Sequence, residues 1–195
     1  MALIPVRKGE IAAVVTYLEM TKAPPPAAAP ERSALKLVHW ARPDIDEYRA
    51  LFRAVGTPWL WFSRLVMPDA ALSALLEDPL IEVRMVTNRA GARLGLLELD
   101  FRRSGECEIA YFGLVPAMTG KGHGHWLMRR ALDLGWREGI DRLWLHSCTL
   151  DHPAALDFYQ RHGFVPYARA VECFADPRLL GLVDRDAAPH LPLID

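Results

Sequence analysis

The period of apolar and polar positions changes midway along the chain, and the predicted elements follow from it. Ile11 to Met20 is rich in Val, Ile, Thr and Tyr, residues that suit a pleated surface, and it predicts a short strand. Ala23 to Pro30 is nearly all Ala and Pro; proline lacks the amide that a helix or a ladder needs, so a linker or mobile flap is expected there. Ala34 to Trp40 alternates as a second strand. Pro43 and Asp44 then open a helix in which Tyr48, Leu51, Phe52 and Val55 share one face, with Gly56 as its stop. Thr57 to Val66 is dense in aromatics, including Trp59, Trp61 and Phe62; such rings either pack beneath a loop or wall a small-molecule pocket. Asp69 is placed to cap a helix from Ala70 to Glu77, which Asp78 and Pro79 end.

From Leu80 onward strand patterns take over. Ile81 to Thr87, Leu94 to Phe101 and Glu106 to Leu114 are separated by the turn sequences Asn88 to Gly91 and Arg103 to Gly105, which predicts an antiparallel meander. A glycine-rich turn follows, then a helix in which Leu127, Met128, Ala131, Leu132 and Gly135 recur at helical spacing. That helix is expected to run to about Glu138, with Gly139 as a left-handed stop. Leu143 to Ser147 reads as a buried strand, Pro153 to Arg161 as a helix stopped by Gly163, and Phe164 to Phe174 as a final strand. Pro177 to Val183 predicts a last short helix, and the tail beyond it is expected to be loose.

With 195 residues, 51% of them hydrophobic by type, the chain is long enough for one sizeable core and short for two. One domain is expected: residues 1–33 an N-terminal strand and linker, 34–175 the body, and 176–195 a C-terminal tail packed on it. The formal net charge of −1 supplies no global field, so neither nucleic acid nor a membrane surface is an expected partner, and any anion site must be local. Cys107, Cys148 and Cys173 are odd in number, widely spaced and set in apolar strand-like contexts, which suits reduced thiols in a cytoplasm. No window is apolar and long enough to span a bilayer, and the N-terminus lacks the order of a signal peptide; a cytoplasmic location is expected.

The glycine turn holds the clearest chemistry. Gly120, Gly122 and Gly124 alternate where a strand gives way to a helix, whose first turn has amides without intrahelical partners and the positive end of the helix dipole. Glycines let a phosphate approach those amides, and Lys121 adds a mobile positive charge. The spacing fails both the GxGxxG dinucleotide fingerprint and the GxxxxGK[ST] phosphate loop. It resembles instead the acyl-CoA-binding signature of the GNAT N-acetyltransferase superfamily: Leu114, Pro116, Gly120, Gly122, Gly124 and Leu127 match, while Thr119 stands where Gln or Arg is usual. A second stretch is similar to the same superfamily's next motif, with Ala155, Tyr159, Gly163 and Phe164 in register and His152 in place of the usual asparagine.

The resemblance covers roughly Ala34 to Phe174. It implies an α/β (α+β) fold: a mixed, mostly antiparallel central sheet flanked by helices and split between the fourth and fifth core strands. It also implies acetyl-CoA as acyl donor, bound by Leu114, Val115, Thr119, Gly120, Lys121, Gly122, His123 and Gly124, and direct attack by a primary amine in a ternary complex. Tyr159 is then the expected acid beside the sulfur, and Glu108 the expected base. Glu98 is in reserve, and water serves in members that lack a protein base. His146, Cys148 and Asp151 would border the acceptor pocket, and the pair Arg129 and Arg130 is either a solvated helix face or a contact for the CoA 3′-phosphate. His123, His125, His146, Cys148 and His152 match no standard zinc spacing, so no metal is expected. The acceptor is a small-molecule or peptide amine, and oligomeric state is left open, a homodimer included. The alternative is an acyl-CoA-binding sensor or partner module without turnover, motivated by Thr119 and His152.

Overall fold

The computed structural model describes residues 3–25 and 33–195, so most of the predicted Ala/Pro linker lies outside the described residues. The strands are β1 (Glu10–Met20), β2 (Lys36–His39), β3 (Ile81–Thr87), β4 (Arg93–Asp100), β5 (Glu106–Leu114), β6 (Arg142–Cys148) and β7 (Val165–Ala175). The helices are α1 (Ile45–Gly56), α2 (Ser63–Val66), α3 (Asp69–Glu77), α4 (His123–Gly135) and α5 (Ala155–Arg161), with 3-10 turns at Thr57–Trp59 and Pro116–Met118. Among the described residues the strands form one sheet in the order β2-β3-β4-β5-β6-β1-β7. Its pairs are antiparallel except β5 with β6, giving the mixed, mostly antiparallel sheet that was expected.

Two features of β5 open the sheet. Its parallel pairing with β6 covers only Glu106 to Glu108 against Arg142 to Trp144, after which the strands part. Against β4, Glu98 pairs with Tyr111 and Leu99 with Ile109, so Ala110 is an extra residue in β5. Such a bulge bends its strand and shifts the alternation of faces by one. Cys107 and Ile109 therefore share a core with Phe112, while Tyr111 packs into the core on the opposite face of the sheet. One core gathers Trp126, Leu127, Met128, Ala131 and Leu132 of α4 against the strands, and the other gathers α1 and α3 with Leu96, Val83 and Ile81. Burying Leu127 completely, as here, contributes about 1.5–3 kcal/mol.

Local chemistry explains the helix ends. Asp44 caps α1, its Oδ1 accepting from the amides of Asp46 and Glu47 at 3.0 Å each. Helix α1 ends at Gly56, as expected, with φ −96°; a Cβ there would lie 2.5 Å from that of Trp61, and the left-handed residue comes later, Leu60 at φ 53°. Asp69 does not cap α3. It is the first residue of that helix, after Pro68, and its carboxylate takes Arg49 at 2.6 Å. Helix α4 stops at Gly135, short of Glu138, where Trp136 leaves helical backbone at ψ 89°; glycine suits position 135 because Leu143 lies only 2.6 Å from where a Cβ would stand, and Gly139, at φ 82°, serves the turn into β6.

The C-terminal segment also departs from expectation. Pro177 to Val183 forms turns, not a helix, because Asp176 binds both the amide and the guanidinium of Arg178. Arg178 reaches on to the carbonyls of Ala187 and Leu191, so the expected loose tail is packed, with Val183, Ala187 and Ala188 buried against the α1 side.

Candidate active site

The parting of β5 and β6 forms a cleft of about 620 Å³. One of its ends is the glycine turn. Thr119, Gly120, Gly122 and Gly124 line it, together with Leu114, Met118 and His125. Gly120 and Gly122 are left-handed, at φ 74° and 80°, and Cβ atoms on either would meet nothing within 4 Å, so the backbone lies bare to the cleft. Among the described residues the amides of Gly120, Lys121 and Gly122 donate to no other backbone group, and those of His123 and Gly124 belong to the first turn of α4. The turn thus presents a run of bare amides beside the cleft.

The remaining expected cofactor residues stand off the cleft wall. Val115 packs towards the α1 side and its amide already donates to the Leu94 carbonyl at 2.9 Å. Lys121 is exposed in the turn, and His123 opens α4 without its side chain reaching the wall. Arg129 is exposed on α4, and Arg130 faces Asp133 at 3.5 Å.

Tyr159 sits at the waist of the cleft, packed edge-on against Phe112 and Phe164. Burial, with the negative charge of Asp151, pushes its phenol above the ordinary range and keeps it protonated. Glu108 is not on the wall of this cleft. It lies behind it in a smaller hollow with Asp100, Arg102, Arg103 and Trp144. Between the two stands His146, which lines the cleft and holds Nε2 4.0 Å from Glu108 Oε1. Burial pushes the Glu108 carboxyl up to about 7, the charge of Asp100 adding to the effect and Arg103 and Arg64 opposing it. Glu98, the reserve base, is fully buried and committed: its oxygens take Tyr48 Oη and Arg64 Nη2, each at 2.5 Å. That leaves it in the architecture beneath Tyr111, which is bound through its hydroxyl to Ser63.

At the far end the wall is aromatic. Trp59 and Phe62 come from the connection after α1 and Phe174 from β7, with Phe62 and Phe174 stacked at 4.6 Å. Trp61 packs on Phe52 and Tyr111 and lines the cleft as well, so the aromatic stretch serves core and cleft together. Cys148, Asp151, His152 and Glu172 complete this end. Burial and Asp151 push the Cys148 thiol up to about 11. His152 stands edge-on to Trp59, and its Nδ1 accepts from the Ala154 amide at 3.1 Å, so it satisfies the start of α5 from the place where asparagine is usual.

The histidines do not converge. His125 bonds His162, His146 faces Glu108 and His152 meets Trp59, and among the described residues no three His, Cys, Asp or Glu side chains gather as metal ligands. Sequence reasoning missed Met118, His125, Phe158, Glu172 and Phe174. The last two lie on a strand that reads as an ordinary exposed edge, and only its crossing over the cleft mouth brings them in.

Comparison with known proteins bears on this arrangement. Among curated proteins none matches the chain. A GCN5-related N-acetyltransferase from Sphaerobacter thermophilus superposes with a TM-score of 0.62 at 19% identity, covering 87% of this chain and 52% of that one. The chain therefore spans about half the length of that relative. A putative GNAT-family acetyltransferase from Novosphingobium aromaticivorans gives 0.55 at 17% identity, covering 87% and 68%. An aminoglycoside acetyltransferase from an uncultured soil metagenomic sample, in complex with trehalose, gives 0.53 at 17% identity, covering 66% and 87%. At these identities the likeness is one of fold. The profile of the Acetyltransferase (GNAT) family matches residues 48–164, more than half the chain and the span from α1 to the residue before β7. The chain belongs to the GNAT acetyltransferase family.

Proposed function

We propose that the chain transfers an acetyl group from acetyl-CoA to a primary amine by direct attack within a ternary complex. The observation that carries this reading is a single cleft with a cradle of bare amides at one end, the Tyr159 phenol at its waist and a His146–Glu108 pair beside the path to its other end. Acetyl-CoA supplies the activated acyl group as a thioester. The chain's own residues support the rest. Amides of Gly120 to Gly124 and the positive end of α4 suit a pyrophosphate, and Lys121 can swing a charge towards it. Leu114, Phe112 and Phe158 line the cleft where an extended apolar arm would lie. Tyr159, kept protonated, donates to the departing sulfur. Glu108, whose carboxyl titrates near neutrality, accepts the amine's proton by way of His146 and one water spanning the 4.0 Å between them, a relay that replaces direct contact between carboxylate and substrate.

Direct attack is favoured over a covalent acyl-cysteine because Cys148, in the cleft, is held as a thiol. Thermal melting with acetyl-CoA, against dephospho-CoA and NAD, tests the cofactor half: at about a hundred times its dissociation constant a ligand stabilises the folded chain by about 2.7 kcal/mol. Thiol release across a panel of amines tests turnover. Stabilisation without thiol release from any amine would support the non-catalytic binding module instead, and no stabilisation at saturating acetyl-CoA would refute the acyl-CoA reading altogether.

A further inference from the structure

The acceptor end of the cleft carries a selection that the glycine turn does not. Among the described residues no Lys or Arg side chain lines the cleft, whereas two carboxylates do, Asp151 and Glu172. Asp151 uses Oδ2 on the Ser147 hydroxyl at 2.7 Å and the Cys148 amide at 2.9 Å. Glu172 makes no ion pair among the described residues. It lies two residues before Phe174, and on a strand that spacing puts both side chains on one face. Trp59 and Phe62 line the same cleft, with Phe62 stacked on Phe174 at 4.6 Å.

Resting on the acyltransferase reading, we infer that the acceptor is an arylalkyl amine: a flat apolar body, a positive amine and no carboxylate. Its ring lies against Trp59, Phe62 and Phe174, and its ammonium is drawn in by Glu172 and Asp151. The amine then loses its proton before attacking, and His146 stands where that proton leaves. An amino acid carries its own carboxylate, which here would meet two like charges and no cation. A polyamine or aminoglycoside carries several ammonium groups against two carboxylates, and its polar body would find rings where it needs hydrogen-bond partners.

The test uses the full chain with acetyl-CoA and measures kcat/KM by thiol release for 2-phenylethylamine against phenylalanine and tyramine against tyrosine, with spermine and kanamycin alongside. The amine of each pair is expected to exceed its amino acid by about tenfold or more, equivalent to about 1.4 kcal/mol. Glu172→Gln should raise KM for phenylethylamine about threefold to tenfold with kcat retained, and Glu172→Lys should narrow or reverse the gap to phenylalanine. Equal turnover within the pairs, faster turnover of spermine or kanamycin, or a KM unmoved in Glu172→Gln would overturn the inference while leaving the acyltransferase reading intact. Failure of every amine, in a preparation that acetyl-CoA does not stabilise, would remove both.

Discussion

Replacing Glu108 by Gln should make the protein more stable at alkaline pH while slowing its chemistry. Gln has the shape of the protonated carboxyl but cannot ionise. Holding the Glu108 proton to about pH 7 in place of 4.5 corresponds to about 3 kcal/mol between the two protonation states. The side chain is 22% exposed, and solvent screening reduces the measurable part to about 2 kcal/mol. Because the folded chain keeps this proton where the unfolded chain has lost it, the cost is absent below pH 4.5. It grows as the pH rises towards 7 and is full above 7. Melting wild type and Glu108→Gln in parallel should therefore give equal Tm values at pH 4.5 and a Tm higher by about 4–8 °C for the variant at pH 8. In the same variant the rise of kcat/KM with pH near 7 should vanish, with rates lower by about a hundredfold or more. A Tm difference that is absent at pH 8, or as large at pH 4.5 as at pH 8, would refute the desolvated carboxyl on which the relay rests.

Three further outcomes follow from the geometry. Tyr159→Phe keeps the ring packed on Phe112 and Phe164, so stopped-assay rates should fall about a hundredfold while the KM for acetyl-CoA stays put. Gly122→Ala adds a methyl at φ 80° with nothing within 4 Å, so its stability cost should be only about 1–2 kcal/mol, from backbone strain. Calorimetric titration should nonetheless show weaker acetyl-CoA binding, because that methyl shields the bare amides. Glu98→Ala leaves Arg64 with a buried, unanswered charge and Tyr48 without its acceptor; urea unfolding should register a loss of about 3–5 kcal/mol, and a loss below 1 kcal/mol would contradict the network.

The chemistry nearest in sequence was the most legible. The glycine turn could be read because Gly120, Gly122 and Gly124 act through their own backbones, whose bareness is a local property of residue type. Glu108 could be found as a strand carboxylate, but not its setting. The Ala110 bulge decides which residues share its face, and His146, which stands between it and the cleft, comes from a strand more than thirty residues later. Glu98 looked comparable to Glu108 in sequence, and only Arg64 and Tyr48 separate their roles.

Periodicity and turn residues, which depend on neighbours a few positions apart, were enough to place the seven strands and helices α1, α3, α4 and α5, though not the short α2, and they predicted a helix at 177–183 where the chain turns; the family likeness came from two short motifs. Tertiary structure alone decided what depends on distant partners. The N-terminal strand β1, outside the resemblance, pairs between β6 and β7, with Val15 opposite both Cys148 and Ala170. The C-terminal tail is pinned to the fold, with Val183, Ala187 and Ala188 buried, because Arg178 finds the carbonyls of Ala187 and Leu191. Trp61 can pack on Phe52 and Tyr111 while also lining the cleft because Gly56, with no Cβ, lets it approach. Side-chain type limits which surfaces want burial, but which surfaces meet is set by long-range pairing, and no local window contains it.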